Sequence, residues 1–318
     1  MNECDQECLL TAGADTSPIS LDEAVARYEK EAQRQVFAGP RYRMAYAVWG
    51  NGPPLVLVHG AADTSRTFVP LLARLSARFR CIAYDLPGQP GDRARLSRYR
   101  HEHLVDDLVG LLDHLGLARA YALGSSFGST IVLRAMRAYP SLFPRGIVQG
   151  GFARRPLKRA EWWATWLIRW LPGRMRHIPR REKFLRAVHG KSFAGRGEEW
   201  WRAFVDWTGG TPLATLGHQG QMLHRIDLRE ELPHIRQPVL ILGGEDDPVM
   251  PMRHAEELRQ GLPSGGLMIL GGCGHLPAYT HTEMMAEVVR QFLTPPSQAA
   301  CPMIDVCHGH ANTDGKPR

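Results

Sequence analysis

Two serines stand side by side in "YALGSSFGST", residues 121–130. Gly124-Ser125-Ser126-Phe127-Gly128 fits the pattern G-x-S-x-G, which selects Ser126 as the middle residue. A hydroxyl attacks a carbonyl poorly unless a base takes its proton, and the base needs an acid to orient it. A sharp strand-to-helix turn would strain the serine backbone and present its Oγ, with the flanking glycines letting the turn close. It would also set the serine at a helix N-terminus, where free N–H groups favour developing negative charge. The same five residues read equally as an N-cap serine with turn glycines. The apolar run before them and the helical period after them favour the nucleophile. Ser125 then supports the turn or lines the site. The partners of such a serine should follow as an acid and then a histidine, each just after a later strand. Glu245-Asp246-Asp247 follow "PVLILGG", and His275 follows "GLMILGGCG". These are strand C-termini, where the sites of open parallel sheets gather.

The elements that must hold these residues are legible as alternating periods. Residues 21–37 carry a charged helical pattern, and "RYRMAYAVWG" alternates like a strand. "PPLVLVHG", "RCIAYDLPG", "RAYALGSS", "RGIVQGG", "QPVLILGGEDD" and "GLMILGGCGH" are short apolar runs of the buried parallel kind. Helical patterns separate them. In one, Leu104, Leu108, Leu111, Leu112 and Leu115 share a face that ends at Gly116. The expected fold is α/β, a mostly parallel central sheet flanked by helices. The alternation stops at Phe152, and residues 152–232 show no convincing strand. The expected organisation is an N-terminal arm and helix (1–40), a first core part (41–151), an inserted helical lobe (152–232), a second core part (233–294) and a disordered tail (295–318).

With these pieces in place, the chain resembles the α/β-hydrolase superfamily. "LVLVHG", "YDLPG", "GSSFG", "GEDDPVMP" and "GCGHLP" occur in the family's order and spacing, covering residues from about 42 to 294 apart from the lobe. The resemblance implies Ser126 as nucleophile and His275 as general base. The family's G-x-x-D-x-x-x-P pattern places Gly244, Asp247 and Pro251, so it implies Asp247 as the acid, with Asp246 the nearest rival. It implies an oxyanion hole from the backbone N–H groups of Phe127 and Ala61. His59 shapes its loop and takes no proton-transfer role. Relatives such as haloalkane dehalogenases and epoxide hydrolases carry Asp at the elbow, so a serine there favours ester, thioester, amide or carbon–carbon hydrolysis. The expected activity is that of a carboxylic ester hydrolase working through an acyl-enzyme, with no metal or organic cofactor. The alternatives are a carbon–carbon hydrolase or lactonase on a small carboxylate, acyl transfer, and a non-catalytic binding protein. Three departures bear on subfamily. They are "DLPGQPGD" in place of the usual "DLPGHGxS", Thr280 and Thr282 where Glu and Pro are common, and Ser125 as the second elbow residue.

The lobe is expected to lie over the site as a lid. Of eight tryptophans, seven fall between residues 162 and 207, and residues 152–202 hold fourteen Lys or Arg against four Glu. This composition allows three readings. The tryptophans pack the lobe onto the core, the helix "EWWATWLIRWLPGRMRHIPRR" rests on an anionic membrane surface, or the arginines bind an acidic substrate. No nucleic-acid motif accompanies the basic residues. The N-terminus lacks a basic then apolar leader, and no run of 18 apolar residues occurs, which implies a cytoplasmic protein with reduced cysteines. Cys4, Cys8, Cys301 and Cys307, with His308 and His310, match no standard zinc spacing. Cys81 and Cys273 read as buried small residues. A small acyl compound is the expected partner.

Overall fold

The computed structural model describes residues 19–294. The apolar run after Pro53-Pro54 becomes the centre of the fold. Leu55, Val56, Leu57 and Val58 are fully buried, because helices cover the sheet on both faces. Each such side chain contributes about 1.5–3 kcal/mol on leaving water.

The described residues open with α1 (Leu21–Glu31), capped by Ser20, whose Oγ accepts from the Glu23 N–H at 3.1 Å. Then come β1 (Gln33–Ala38), β2 (Arg43–Trp49), β3 (Pro54–Val58), α2 (Val69–Leu75), β4 (Arg80–Tyr84) and α3 (His101–His114). β5 (Tyr121–Ser125), α4 (Phe127–Ala138) and β6 (Gly146–Gln149) complete the first part of the core. Four helices follow with no strand between them: α5 (Arg159–Ile168), α6 (Arg181–His189), α7 (Glu198–Gly209) and α8 (Leu213–Arg225). β7 (Val239–Gly244), α9 (Met252–Gly261), β8 (Gly265–Leu270), the short α10 (Pro277–Thr280) and α11 (Thr282–Leu293) close the core. The eight strands form one sheet in the order β1-β2-β4-β3-β5-β6-β7-β8. The pairs β1/β2 and β2/β4 are antiparallel and the rest are parallel.

One expectation is corrected. The helical pattern over residues 21–37 ends at Glu31, and Gln33–Ala38 form the edge strand β1, paired with β2 from Gln33↔Val48 to Ala38↔Arg43. The charged period of α1 runs on into an edge strand whose residues are mostly exposed. Polar sequence is tolerated in both settings, so period alone did not separate them. The tail cysteines and histidines considered for metal binding, and the tail over 295–318, lie outside the described residues.

The inserted helices are tied to the core at several points. Arg196 donates to the Thr280 carbonyl at 3.0 Å and pairs with Glu283, which Arg74 also reaches. Thr215 on α8 donates to the Gly88 carbonyl. The "DLPGQPGD" loop is folded around Asp92, whose Oδ2 accepts from the Gly88 and Gln89 N–H groups at 2.6 and 2.8 Å. Gln89 Nε2 in turn donates to the Asp63 carbonyl at 3.0 Å. Thr280 and Thr282 bond to the Leu276 and Ala278 carbonyls within the α10 turn.

Candidate active site

Ser126 sits between β5 and α4 with φ 50° and ψ −116°. A non-glycine residue in this region is strained, and such strain persists only where the surroundings enforce it. Here the surroundings are close backbone. A Cβ on Gly124 would come within 2.5 Å of the Gly128 carbonyl oxygen, and one on Gly128 within 2.2 Å of the Val58 carbonyl oxygen. Both flanking positions therefore require glycine. The Ser126 N–H donates to the Gln149 carbonyl at 2.8 Å. Its side chain makes no capping bond, although it holds the N-cap position of α4. The N-cap alternative for this serine therefore has no hydrogen bond behind it.

Asp247 and His275 arrive from the loops after β7 and β8. His275 Nδ1 lies 2.6 Å from Asp247 Oδ2, and both residues are buried. The other carboxylate oxygen, Oδ1, accepts from the Val249 and Met250 N–H groups, each at 2.8 Å. Burial works to raise the Asp247 pKa. The hydrogen bond and charge of His275, with the two backbone amides, outweigh it and hold the group below the usual carboxylate value. Asp246 is exposed and points to no histidine, its N–H donating to the Cys273 carbonyl at 2.9 Å. Of the two rival carboxylates, the fold brings only Asp247 onto His275. Gly150 lets the imidazole seat against the end of β6, since a Cβ there would stand 2.9 Å from His275 Cε1.

The loop after β3 faces the serine. A Cβ on Gly60 would lie 3.4 Å from Ser126 Cβ and 4.0 Å from its Oγ. Next in this loop is Ala61, whose N–H donates to nothing among the described residues. The Phe127 N–H, at the first position of α4, belongs to the orphan donors of a helix start. His59 is fully buried and shapes this loop. Its Nε2 accepts from the Leu86 N–H at 2.9 Å, so Nδ1 carries the proton and donates to the Gly60 carbonyl at 2.8 Å. Burial holds its pKa below the ordinary imidazole value.

Three residues near this centre had no signal in the sequence. Gln149, buried at the end of β6, accepts from Ser125 Oγ at 2.7 Å and donates to the His275 carbonyl at 3.2 Å. It ties the elbow to the histidine loop, and it gives Ser125 its supporting role. Gln219 on α8 accepts from the Ala62 N–H at 2.6 Å. That bond pins a residue held at φ 57°, so an inserted helix fixes the loop that carries Ala61. His189 on α6 is buried, and its pKa is pushed down to about 4 by burial and then by the charge of His275. Each lies far in sequence from what it touches, so no local motif marks it. Cys81 and Cys273 are buried, and burial raises the Cys273 thiol to about 12. No cluster of metal-ligating side chains occurs among the described residues.

Comparison with known proteins agrees with this architecture. Residues 53–282 match the alpha/beta hydrolase fold family. An uncharacterized hydrolase of Bacillus subtilis is 28% identical over 255 residues, covering 75% of this chain and 89% of that protein. A pimeloyl-[acyl-carrier protein] methyl ester esterase of Nitrosomonas europaea is 29% identical over 247 residues, covering 75% and 94%. The crystal structure of a hydrolase from Pseudomonas aeruginosa PA01 shares the fold with a TM-score of 0.73 at 22% identity, over 83% of this chain and 99% of that one. With its strand order, its strained serine turn and a family match across most of its length, this chain belongs to the alpha/beta hydrolase fold family.

Proposed function

We propose that the protein is a serine hydrolase that cleaves a carboxylic ester through an acyl-enzyme. The observation that carries this reading is the strained Ser126 turn, its side chain uncommitted, in a fold that also buries a His275–Asp247 pair at 2.6 Å. His275 Nε2 takes the Ser126 proton as Oγ attacks the carbonyl carbon. Asp247 holds the imidazole by its Nδ1–H and stabilises the cation that forms. The Phe127 and Ala61 N–H groups receive the oxyanion. The imidazolium then returns its proton to the departing alcohol. Water, deprotonated by His275, attacks the acyl-enzyme; the acid leaves as Ser126 Oγ takes the proton back from the imidazolium. The substrate is a small acyl compound. The curated relative that acts on a methyl ester supports an ester over an amide. The four inserted helices act as the lid, with Gln219 linking lid position to the oxyanion loop.

The test is labelling with a fluorophosphonate, which phosphonylates an activated serine. Wild type, Ser126→Ala and Ser125→Ala are compared by intact mass and peptide mapping. The expected result is one adduct on Ser126, absent only from Ser126→Ala. An adduct on Ser125, or none on folded wild-type protein, overturns the proposal.

A further inference from the structure

The tryptophans of the insertion divide into two groups with opposite fates. Trp200 and Trp201 on α7 are buried against Phe193, Phe204 and Tyr279. For them, packing onto the rest of the protein is the whole explanation. Helix α5 is built the other way round. On it Trp163, Trp166 and Leu167 stand 55%, 37% and 56% exposed, and in the turn just past its end Trp170 stands 64% exposed, with Leu171 also exposed. The spacing i, i+3 and i+4 puts the three helical side chains on one face.

The opposite face explains the orientation. Gln221 Nε2 on α8 donates to the Trp162 carbonyl at 3.0 Å and to Thr165 Oγ1 at 2.7 Å. Gly217 and Gly220 let α5 approach closely. A Cβ on Gly217 would meet the Arg169 backbone N at 2.5 Å, and one on Gly220 would meet Thr165 Cγ2 at 2.6 Å. The helix is seated by its polar, small-residue side, and its apolar stripe is turned outward. Large exposed apolar patches of this kind mark an interaction surface.

The composition of the segment that carries the stripe selects the partner. Residues 154–181 hold nine Lys or Arg and one acid, Glu161. Arg155 pairs with that acid. Lys158, Arg159, Arg174 and Arg180 are exposed and make no ion pair among the described residues. Arg169 stacks over Trp166 and Trp170, with its guanidinium carbon 5.4 and 4.8 Å from the ring centroids. Tryptophan favours the headgroup level of a bilayer, and basic residues favour anionic lipid. A second copy of the chain would set this positive surface against itself. A small acidic protein would satisfy the charge and leave four large apolar side chains without a matching solvent.

We propose that α5 and the turn after it form a docking element for an anionic bilayer surface, lying in the interface plane with Trp163, Trp166, Leu167 and Trp170 among the headgroups and the segment's arginines on lipid phosphates. No helix among the described residues is long and apolar enough to cross a membrane, so the contact is peripheral. The inference holds whatever bond the active site cleaves.

The test is cosedimentation of the full chain with vesicles of phosphatidylcholine, alone or mixed with phosphatidylglycerol. Expected is about tenfold or greater enrichment on the anionic vesicles, weakened by added salt. The triple variant Trp163→Ser/Trp166→Ser/Trp170→Ser should lose that enrichment about tenfold or more, with unchanged melting temperature and fluorophosphonate labelling. Equal binding to both vesicle types, or a triple variant that binds as wild type does, overturns the proposal. So does a wild-type dimer that the triple variant turns into a monomer, or binding of acyl carrier protein, used as the acidic probe, without binding of vesicles.

Discussion

Replacing Asp247 with Asn tests the proposed triad at its most informative point. The shapes are nearly the same, and the bonds are not. Oδ1 can still accept from the Val249 and Met250 N–H groups, now at 2.8 Å each. With Oδ1 so held, the new amide NH2 takes the place of Oδ2, 2.6 Å from His275 Nδ1. Two donors cannot face each other. The imidazole therefore moves its proton to Nε2 and can no longer accept one from Ser126. A wrong-tautomer imidazole of this type costs a factor of about 10⁴ in kcat, or about 5.4 kcal/mol at 1.36 kcal/mol per decade. KM should change little, because Asp247 touches no substrate. Stability should change by no more than about 1 kcal/mol, since the two backbone bonds survive. The assay is steady-state hydrolysis of a p-nitrophenyl ester, beside Asp246→Asn, which should stay within a few-fold of wild type because Asp246 is exposed. A folded Asp247→Asn enzyme retaining kcat within tenfold would refute the reasoning. A larger loss in Asp246→Asn would move the acid to the neighbouring residue.

Two further outcomes follow from residues around the triad. Gln149→Leu leaves Ser125 Oγ and the His275 carbonyl without their bonds at 2.7 and 3.2 Å. It should lower stability by roughly 2–4 kcal/mol and kcat by about tenfold, with KM unchanged and Gln149→Glu intermediate. Loss of stability with kcat intact would reduce Gln149 to a packing role. Asp63, raised by burial and by Asp85 to about 7 against 3.8 in the unfolded chain, holds a proton in the folded state that the unfolded state has released. The folded state binds more protons from pH 4 to 7, so this group's contribution falls as pH rises, by at most about 4 kcal/mol. The stability difference between wild type and Asp63→Asn, measured by urea unfolding at pH 5 and pH 8, should shift in that direction. A pH-independent difference would show that Asp63 titrates normally. Only the difference is informative, because buried His101, depressed to about 3, opposes the trend below pH 6.5.

What the chain declares locally is the set of features whose physics is local. Leu55–Val58 read as a buried parallel strand because four consecutive apolar β-formers admit little else. The glycines around Ser126 announce a turn because any side chain at Gly124 or Gly128 would strike backbone. His275 follows its strand through a glycine loop that no surface histidine needs. Composition also flagged the Trp/Arg segment as unusual. What only the tertiary structure decided depends on partners distant in sequence. Whether the charged stretch after Glu31 continued as helix was settled by pairing with β2. The sequence pattern favoured Asp247 through a family resemblance. The structure adds that this carboxylate is buried on His275 while Asp246 faces water. Gln149 and Gln219 became part of the site through bonds spanning 126 and 157 residues. The tryptophans had one pattern and two outcomes. Trp200 and Trp201 met an aromatic core, while α8 offered α5 two glycines and a glutamine, which seated its polar side and left Trp163 and Trp166, with Trp170 in the turn beyond, facing outward. Periodicity reports that a helix has an apolar face. Which surface that face meets is set by the shape of the neighbour, and that is a property of the folded chain alone.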